Sequence, residues 1–176
     1  EREMDFMQVR DVMATDVIMF EEVEVISNIV RKLNSCSHNG FPIVYNGTKE
    51  FCGVIRRSSL NAVLLYGEQH RAFMPIMPSE EDATDEPCTA SSTDTMIRFD
   101  TVPWDKLKAR KCKDIQGFKQ EQQMDMRRVD LRPYINRNGY NIPQHAPLAS
   151  AYVLARQVGI RHLPVVSRGG IVVGIV

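Results

Sequence analysis

Four histidines and four cysteines are the side chains best suited to metal binding or nucleophilic chemistry, and their spacing argues against both. His38, His70, His145 and His162 stand far apart. Among Cys36, Cys52, Cys88 and Cys112 there is neither a Cys-x-x-Cys pair nor a histidine at zinc-finger spacing. Reduced thiols are the expected state. No Ser/His/Asp or Cys/His arrangement, Walker loop or Gly-x-Gly-x-x-Gly run occurs. Paired carboxylates fall in a polar spacer or beside helix starts, where the helix dipole favours them. His70 and His145 read as solvated and His162 as a packing or capping residue. The chemistry available is that of binding, and the chain reads as no enzyme.

Composition narrows the partners. The chain has 176 residues, 43% of them hydrophobic, which suffices for one ordinary domain or two small fused modules. Lys plus Arg and Asp plus Glu both number 22, so the net charge is zero and exerts no general pull on nucleic acid or anionic lipid. The basic residues at 106–113 and Arg127–Arg128 are interleaved with acids or short, and read as solvated faces; no nucleic-acid partner is expected. No run of about 18 apolar residues is present to span a membrane. The opening Glu1-Arg2-Glu3-Met4-Asp5 is no signal peptide. Ile171 to Val176 reads as a strand cut at its end, as in a piece of a longer protein. Asn46-Gly47-Thr48 has the form of a glycosylation sequon, but Asn-Gly between two apolar runs is a hairpin signal, and that reading is preferred.

These residues need elements to position them. In the first half, Val17 to Phe20 suits a strand. Ile26, Ile29, Val30 and Leu33 then lie on one helix face, with Glu21, Glu22 and Glu24 at or before its first turn. Phe41 to Tyr45 and Phe51 to Ile55 make two strands joined at Asn46-Gly47, and a second helix starts near Ser58 and carries Leu60, Val63 and Leu64. The second half repeats the order. Tyr140 to Ile142 is a strand, and Pro147 opens a helix whose buried face is Leu148, Ala151, Leu154, Ala155 and Val158. Leu163 to Val166 and Ile171 to Val176 are strands around Ser167-Arg168-Gly169-Gly170.

The halves match residue by residue. Asn39-Gly40-Phe41-Pro42-Ile43-Val44 lines up with Arg161-His162-Leu163-Pro164-Val165-Val166, and Cys52-Gly53-Val54-Ile55 with Val173-Gly174-Ile175-Val176. Two modules packed on each other are expected, at 9–66 and 126–176, the second truncated at its C-terminus. Between them, 67–125 is a linker. Its stretch from Ser79 to Thr95 is rich in Ser, Thr, Asp, Glu and Pro and is too polar to offset the entropy of ordering, so a mobile spacer is expected. Trp104 and Phe118 would pin the remainder of the linker to a module.

The order β-α-β-β-α, the strand opening Gly40-Phe41-Pro42-Ile43-Val44 and the Gly-Val-Ile or Gly-Ile-Val third strand resemble CBS modules. A longer set of segments resembles the cytoplasmic part of eukaryotic CLC chloride channels and chloride/proton exchangers, of the intracellular-membrane and plant-like branch. These segments are Ser37 to Val44, Cys52 to Leu60, Met124-Asp125-Met126 with Val129 to Tyr134, Tyr140-Asn141-Ile142 and Val158 to Val166, set around a long acidic linker. The resemblance implies an α/β (α+β) fold of tandem CBS modules packed as a pseudo-two-fold pair. It also implies a homodimer, attachment to a membrane transport domain of the same polypeptide, and a place on the cytoplasmic face of a vacuolar, endosomal or lysosomal type of membrane. It further implies binding of ATP, ADP or AMP with an effect on gating of a voltage-gated channel or exchanger. The alternative is a structural dimerisation and docking module without nucleotide. A CBS pair from another host, such as a dehydrogenase or a kinase-regulatory subunit, is disfavoured by the long linker and the His-Asn-Gly-Phe-Pro segment.

By that resemblance the adenine base sits at His38, Asn39 and Gly40, with Phe41 and Pro42 behind and the backbone of Val17 and Ile18 lining the pocket. His38 stands where other members carry Tyr, and would make affinity pH-dependent because imidazole changes charge near neutrality. Gly40 permits close backbone approach. The ribose carboxylate of the family falls in Gly-x-x-Thr-x-x-Asp after the third strand. In the first half that position is Ser59 and Arg56 replaces the Thr; in the second half it lies past Val176.

Overall fold

A computed structural model describes residues 6–68, 72–74 and 126–176. The spacer at Ser79 to Thr95, Trp104, Phe118, His70, Cys88, Cys112 and the basic run at 106–113 lie outside the described residues. The chain divides into two compact units. The first is Glu1–Glu22, Gly40–Arg56 and Ile135–Val176, and the second is Val23–Asn39 and Arg57–Tyr134.

The first unit holds α1 (Val9–Val12), β1 (Phe20–Glu21), β3 (Gly40–Val44) and β4 (Phe51–Arg56). The second holds β2 (Val23–Val25), α2 (Ile26–Ser35), α3 (Arg57–Tyr66), β5 (Phe73–Met74) and β6 (Arg128–Asp130), then a 3₁₀ turn at Arg132–Tyr134. The chain returns to the first unit with β7 (Ile142–Pro143), α4 (Leu148–Val158), β8 (Pro164–Val166) and β9 (Val172–Ile175).

Two sheets of identical design fill the first unit. In one, β1 runs parallel to β3 and β3 antiparallel to β4; in the other, β7 runs parallel to β8 and β8 antiparallel to β9. The registers confirm the internal repeat. Phe20 pairs with Ile43 as Ile142 pairs with Val165, and Ile43 pairs with Gly53 as Val165 pairs with Gly174. Each hairpin has a bulge at the same place, after Ile43 and after Val165. Pro42 and Pro164 each precede by one residue the pairing with the parallel strand, where a missing N–H is tolerated.

The halves also exchange segments. Asn136, in the approach to β7, forms a two-bond bridge with Val54 of β4 (2.9 and 3.1 Å), and Ala14, in the approach to β1, does the same with Ile175 of β9 (both 2.9 Å). The hairpin ends meet through Phe51 N–H to Gly170 O and Val172 N–H to Lys49 O. Each crossing segment passes over a glycine. A Cβ on Gly53 would lie 2.6 Å from Ile135 Cγ2 and 2.7 Å from Asn136 O, and one on Gly174 would lie 2.5 Å from Met13 Sδ and 3.0 Å from Ala14 O. Close backbone approach is therefore what the glycine of each third strand provides.

Two apolar clusters lie within this unit. Val9, Ile142, Ala151, Leu163 and Val165 form one, and Val44, Val166 and Val172 form the other. Phe41 meets Phe20 edge-on, with ring centroids 5.2 Å apart. In the second unit, α2 buries Ile26, Ile29, Val30 and Leu33, as its periodicity requires, and α3 buries Leu60, Ala62, Val63 and Leu64. Two short strands flanking residues 75–125 add to this unit: β6 pairs antiparallel with both β2 and β5. Among the described residues, no helix is long and apolar enough to cross a membrane.

Several element boundaries differ from expectation. The first strand is Phe20–Glu21 rather than Val17–Phe20, because only Phe20 and Glu21 find ladder partners on β3. Val17 instead folds back, its N–H donating to Thr15 O. Val17 and Ile18 therefore stand in irregular chain rather than on a strand. The strand of the second half is Ile142–Pro143 rather than Tyr140–Ile142. On α4 only Ala151 is buried; Leu148, Leu154 and Ala155 are half-buried and Val158 is exposed.

Candidate functional site

The candidate residues divide between the units. His38 and Asn39 belong to the second, while Val17, Ile18, Gly40, Phe41 and Pro42 belong to the first.

In the second unit the site is built at the end of α2. The last four carbonyls of a helix lack intrahelical partners. Many helices satisfy them with a left-handed glycine, but α2 ends at Cys36 in extended conformation (φ −146°, ψ 167°). Ser35 Oγ (2.8 Å) and the Cys36 thiol (3.4 Å) donate to Lys32 O, and Arg57, the first residue of α3, supplies further donors. Its Nη1 donates to Leu33 O (3.1 Å), its Nη2 to Cys36 O (2.7 Å) and Cys36 Sγ (3.2 Å), and its Nε to His38 O (2.5 Å). The backbone N–H of Arg57 donates to Asn39 O (2.9 Å). A cation at a helix C-terminus also complements the dipole. Arg57 thus reaches three of the four carbonyls of the segment 36–39, and the side chains of His38 and Asn39 are exposed.

In the first unit, Phe41 and Pro42 are buried on the central strand β3, and Phe41 is a core residue. Val17 packs against the cluster of Val44, Val166 and Val172, so its side chain is committed to the core. Gly40 is different from Gly53 and Gly174. Among the described residues the nearest atom to a Cβ there would be Val54 Cγ1 at 3.8 Å, an ordinary contact, and its φ is not left-handed. The described protein atoms do not themselves require glycine at position 40.

Several charged groups elsewhere are engaged in ion pairs. Glu22 accepts from Arg137 (3.2 Å) and from the Cys52 thiol (3.4 Å). Burial, then the Glu22 hydrogen bond and charge, push the Cys52 thiol above its ordinary value, which keeps it protonated. In the second unit the buried Glu24 accepts from Asn28 (2.7 Å) and Lys32 (3.3 Å). Ser59, at the family's ribose-acid position, is half-buried on α3, and Arg56 is exposed at the end of β4.

Sequence reasoning missed Arg57, although a signal was present. A cation in the first turn of a helix opposes the dipole, so an arginine opening α3 must be held by something other than its own helix.

Residues 9–66 match the CBS domain family model. Over 96% of its length the chain is 30% identical to chloride channel protein C of Dictyostelium discoideum, and over 95% it is 30% identical to the H(+)/Cl(−) exchange transporter 7 of Bos taurus. It covers 21% and 19% of those proteins, so the chain spans about a fifth of the length of the relatives it matches. Among solved structures, the CBS domain of a bacterial CNNM/CorC family Mg²⁺ transporter in complex with ATP superposes with a TM-score of 0.52 at 12% identity, covering 99% of this chain and 84% of that one. That likeness is one of fold, and it agrees with the paired sheets. The chain is therefore a CBS-domain segment of mixed α/β fold, homologous over nine-tenths of its length to the CLC chloride channels and exchangers.

Proposed function

We propose that the chain is the cytoplasmic regulatory region of a CLC-type chloride transport protein, and that it binds an adenine nucleotide and modulates gating. The modules are 9–66 and 126–176, joined by the linker at 67–125. The observation that carries the nucleotide reading is the clamped loop: Arg57 fixes the carbonyls of Cys36, His38 and Asn39 while the side chains of His38 and Asn39 stay exposed. Gly40 follows at a position where the described protein atoms leave room for a Cβ, which suits close approach by a ligand. His38 stacks on the base, Asn39 and Gly40 meet its polar edge, and the backbone of Val17 and Ile18 lines the pocket. Phe41 and Pro42 back the site from the core. The fold neighbour solved with ATP supports the same ligand class.

The region works as a homodimer on the cytoplasmic face of an intracellular membrane, attached to the transport domain of its own polypeptide. It transports nothing and catalyses nothing. Nucleotide stabilises one arrangement of the modules, and the transport domain responds to the extent that the ligand's affinity differs between arrangements. A second reading, a docking and dimerisation module without nucleotide, is favoured by Ser59 at the ribose-acid position of the first half.

Calorimetric titration of ATP, ADP and AMP into the full-length protein tests the choice. Saturable binding that weakens about tenfold in His38→Ala, consistent with loss of about 1.4 kcal/mol of stacking, supports the nucleotide reading. A folded protein that binds none at millimolar nucleotide leaves the docking module.

A further inference from the structure

We infer that Arg57 is a positioning and specificity-determining residue for base recognition, an inference that rests on the nucleotide reading above. Arg57 binds the carbonyls of Leu33, Cys36, His38 and Asn39. Among the described residues no peptide bond is cis, and in a trans peptide the N–H points opposite to the C=O of the same plane. With the His38 and Asn39 carbonyls turned toward Arg57, the N–H groups of the next residues, Asn39 and Gly40, are turned away from it. A purine edge offers ring-nitrogen acceptors to such donors, and the Asn39 amide adds a donor and an acceptor beside them. Exocyclic groups differ between adenine and guanine, so fixing these peptide planes fixes which purine fits.

The work requires a guanidinium. Arginine carries five N–H donors in a rigid fork, and here Nε, Nη1 and Nη2 are all engaged. A lysine would keep the charge at the end of α2 but could not span the same acceptors. The loop would then be ordered only when ligand arrives, and binding would bear that cost. The residue's place in α3 offers no competing explanation, since the dipole at a helix start opposes a cation.

The test uses the full-length protein and the Arg57→Lys variant, with Arg57→Gln in reserve should lysine fail to fold. ATP and GTP are titrated by calorimetry, and hydrogen exchange is followed at residues 36–40 without nucleotide. The variant should bind ATP about tenfold more weakly, lose most of its preference for ATP over GTP, and exchange faster at 36–40 while β3 and β4 beyond Gly40 keep their protection. A purely structural role would not move the ATP-to-GTP ratio. Unchanged exchange at 36–40, or an unchanged ratio despite faster exchange, overturns the inference. If wild type binds neither nucleotide, the nucleotide reading fails and base specificity fails with it, while exchange at 36–40 still reports whether Arg57 orders the loop.

Discussion

Gly53 and Gly40 are ten-odd residues apart on one hairpin, yet replacing each by alanine should have opposite consequences. At Gly53 the added methyl would approach Asn136 O to 2.7 Å, Ile135 Cγ2 to 2.6 Å and Arg137 Cα to 3.2 Å, and two of these atoms are backbone that cannot rotate away. Either the crowding is borne, at about 1–3 kcal/mol for an overpacked site, or residues 135–137 move off and the bridge to Val54 is lost. That bridge has bonds of 2.9 and 3.1 Å, each contributing about 1 kcal/mol net. Both routes centre on a loss of about 2 kcal/mol, reduced by the roughly 0.4–1 kcal/mol that alanine gains by restricting the unfolded chain. At Gly40 the closest approach is 3.8 Å, so only the unfolded-state effect remains and stability should stay level or rise by up to about 1 kcal/mol. Urea denaturation followed by far-ultraviolet circular dichroism reads both. A Gly53→Ala protein within about 0.5 kcal/mol of wild type, the usual range for a surface change, would refute the crossing-segment argument. So would a Gly40→Ala protein destabilised as much as Gly53→Ala.

Two further perturbations test local devices. Burial pushes the Asp130 carboxyl up, but the side-chain and backbone hydrogen bonds and the charge of Arg132 outweigh it and hold the carboxyl below its ordinary 3.8. A depressed carboxylate contributes stability that is present above its unfolded value and lost as pH falls through the folded one; Asp130→Asn should therefore flatten the stability profile below about pH 4, and a profile parallel to wild type in denaturant titrations would contradict the pairing. Gly159 ends α4 in the left-handed region (φ 71°), with its N–H on Ala155 O, so Gly159→Ala should cost about 1 kcal/mol without altering exchange at 36–40.

The repeat was legible because it is written in residue types that geometry demands: a proline one residue before the middle strand meets its parallel partner and a glycine where a strand is crossed. The physical reason for the glycines was not legible. The segment that crosses Gly53 comes from residues 135–137, far away in sequence, and no local pattern announces it. The misplaced first strand has a related cause. Apolar runs report burial, and Val17 is indeed packed in a core cluster, but only hydrogen-bond partners make a strand, and these exist for Phe20 and Glu21 alone. The same limit applies to α4, whose helical spacing was readable while the burial of single residues was not, since it depends on what lies opposite.

The candidate site combines both lessons. His38, Asn39 and Gly40 were identified by resemblance, but what holds them was not, because Arg57 was read as part of a motif rather than as a charge in an unfavourable place. The two halves show why this matters. The helix of the second half terminates itself, by a left-handed glycine whose own N–H closes the last turn. The helix of the first half ends extended at Cys36; Ser35 and Cys36 cap Lys32 O locally, while the carbonyls of Leu33 and Cys36 are met by a side chain that arrives one hairpin later. The turn after α4 is therefore set locally, whereas the loop after α2 depends on Arg57. Of two loops at equivalent places in the repeat, the one with tertiary control over its peptide planes is the one suited to recognise a ligand edge. The internal repeat supplies the scaffold for both, and the departure from it at Arg57 distinguishes the candidate site.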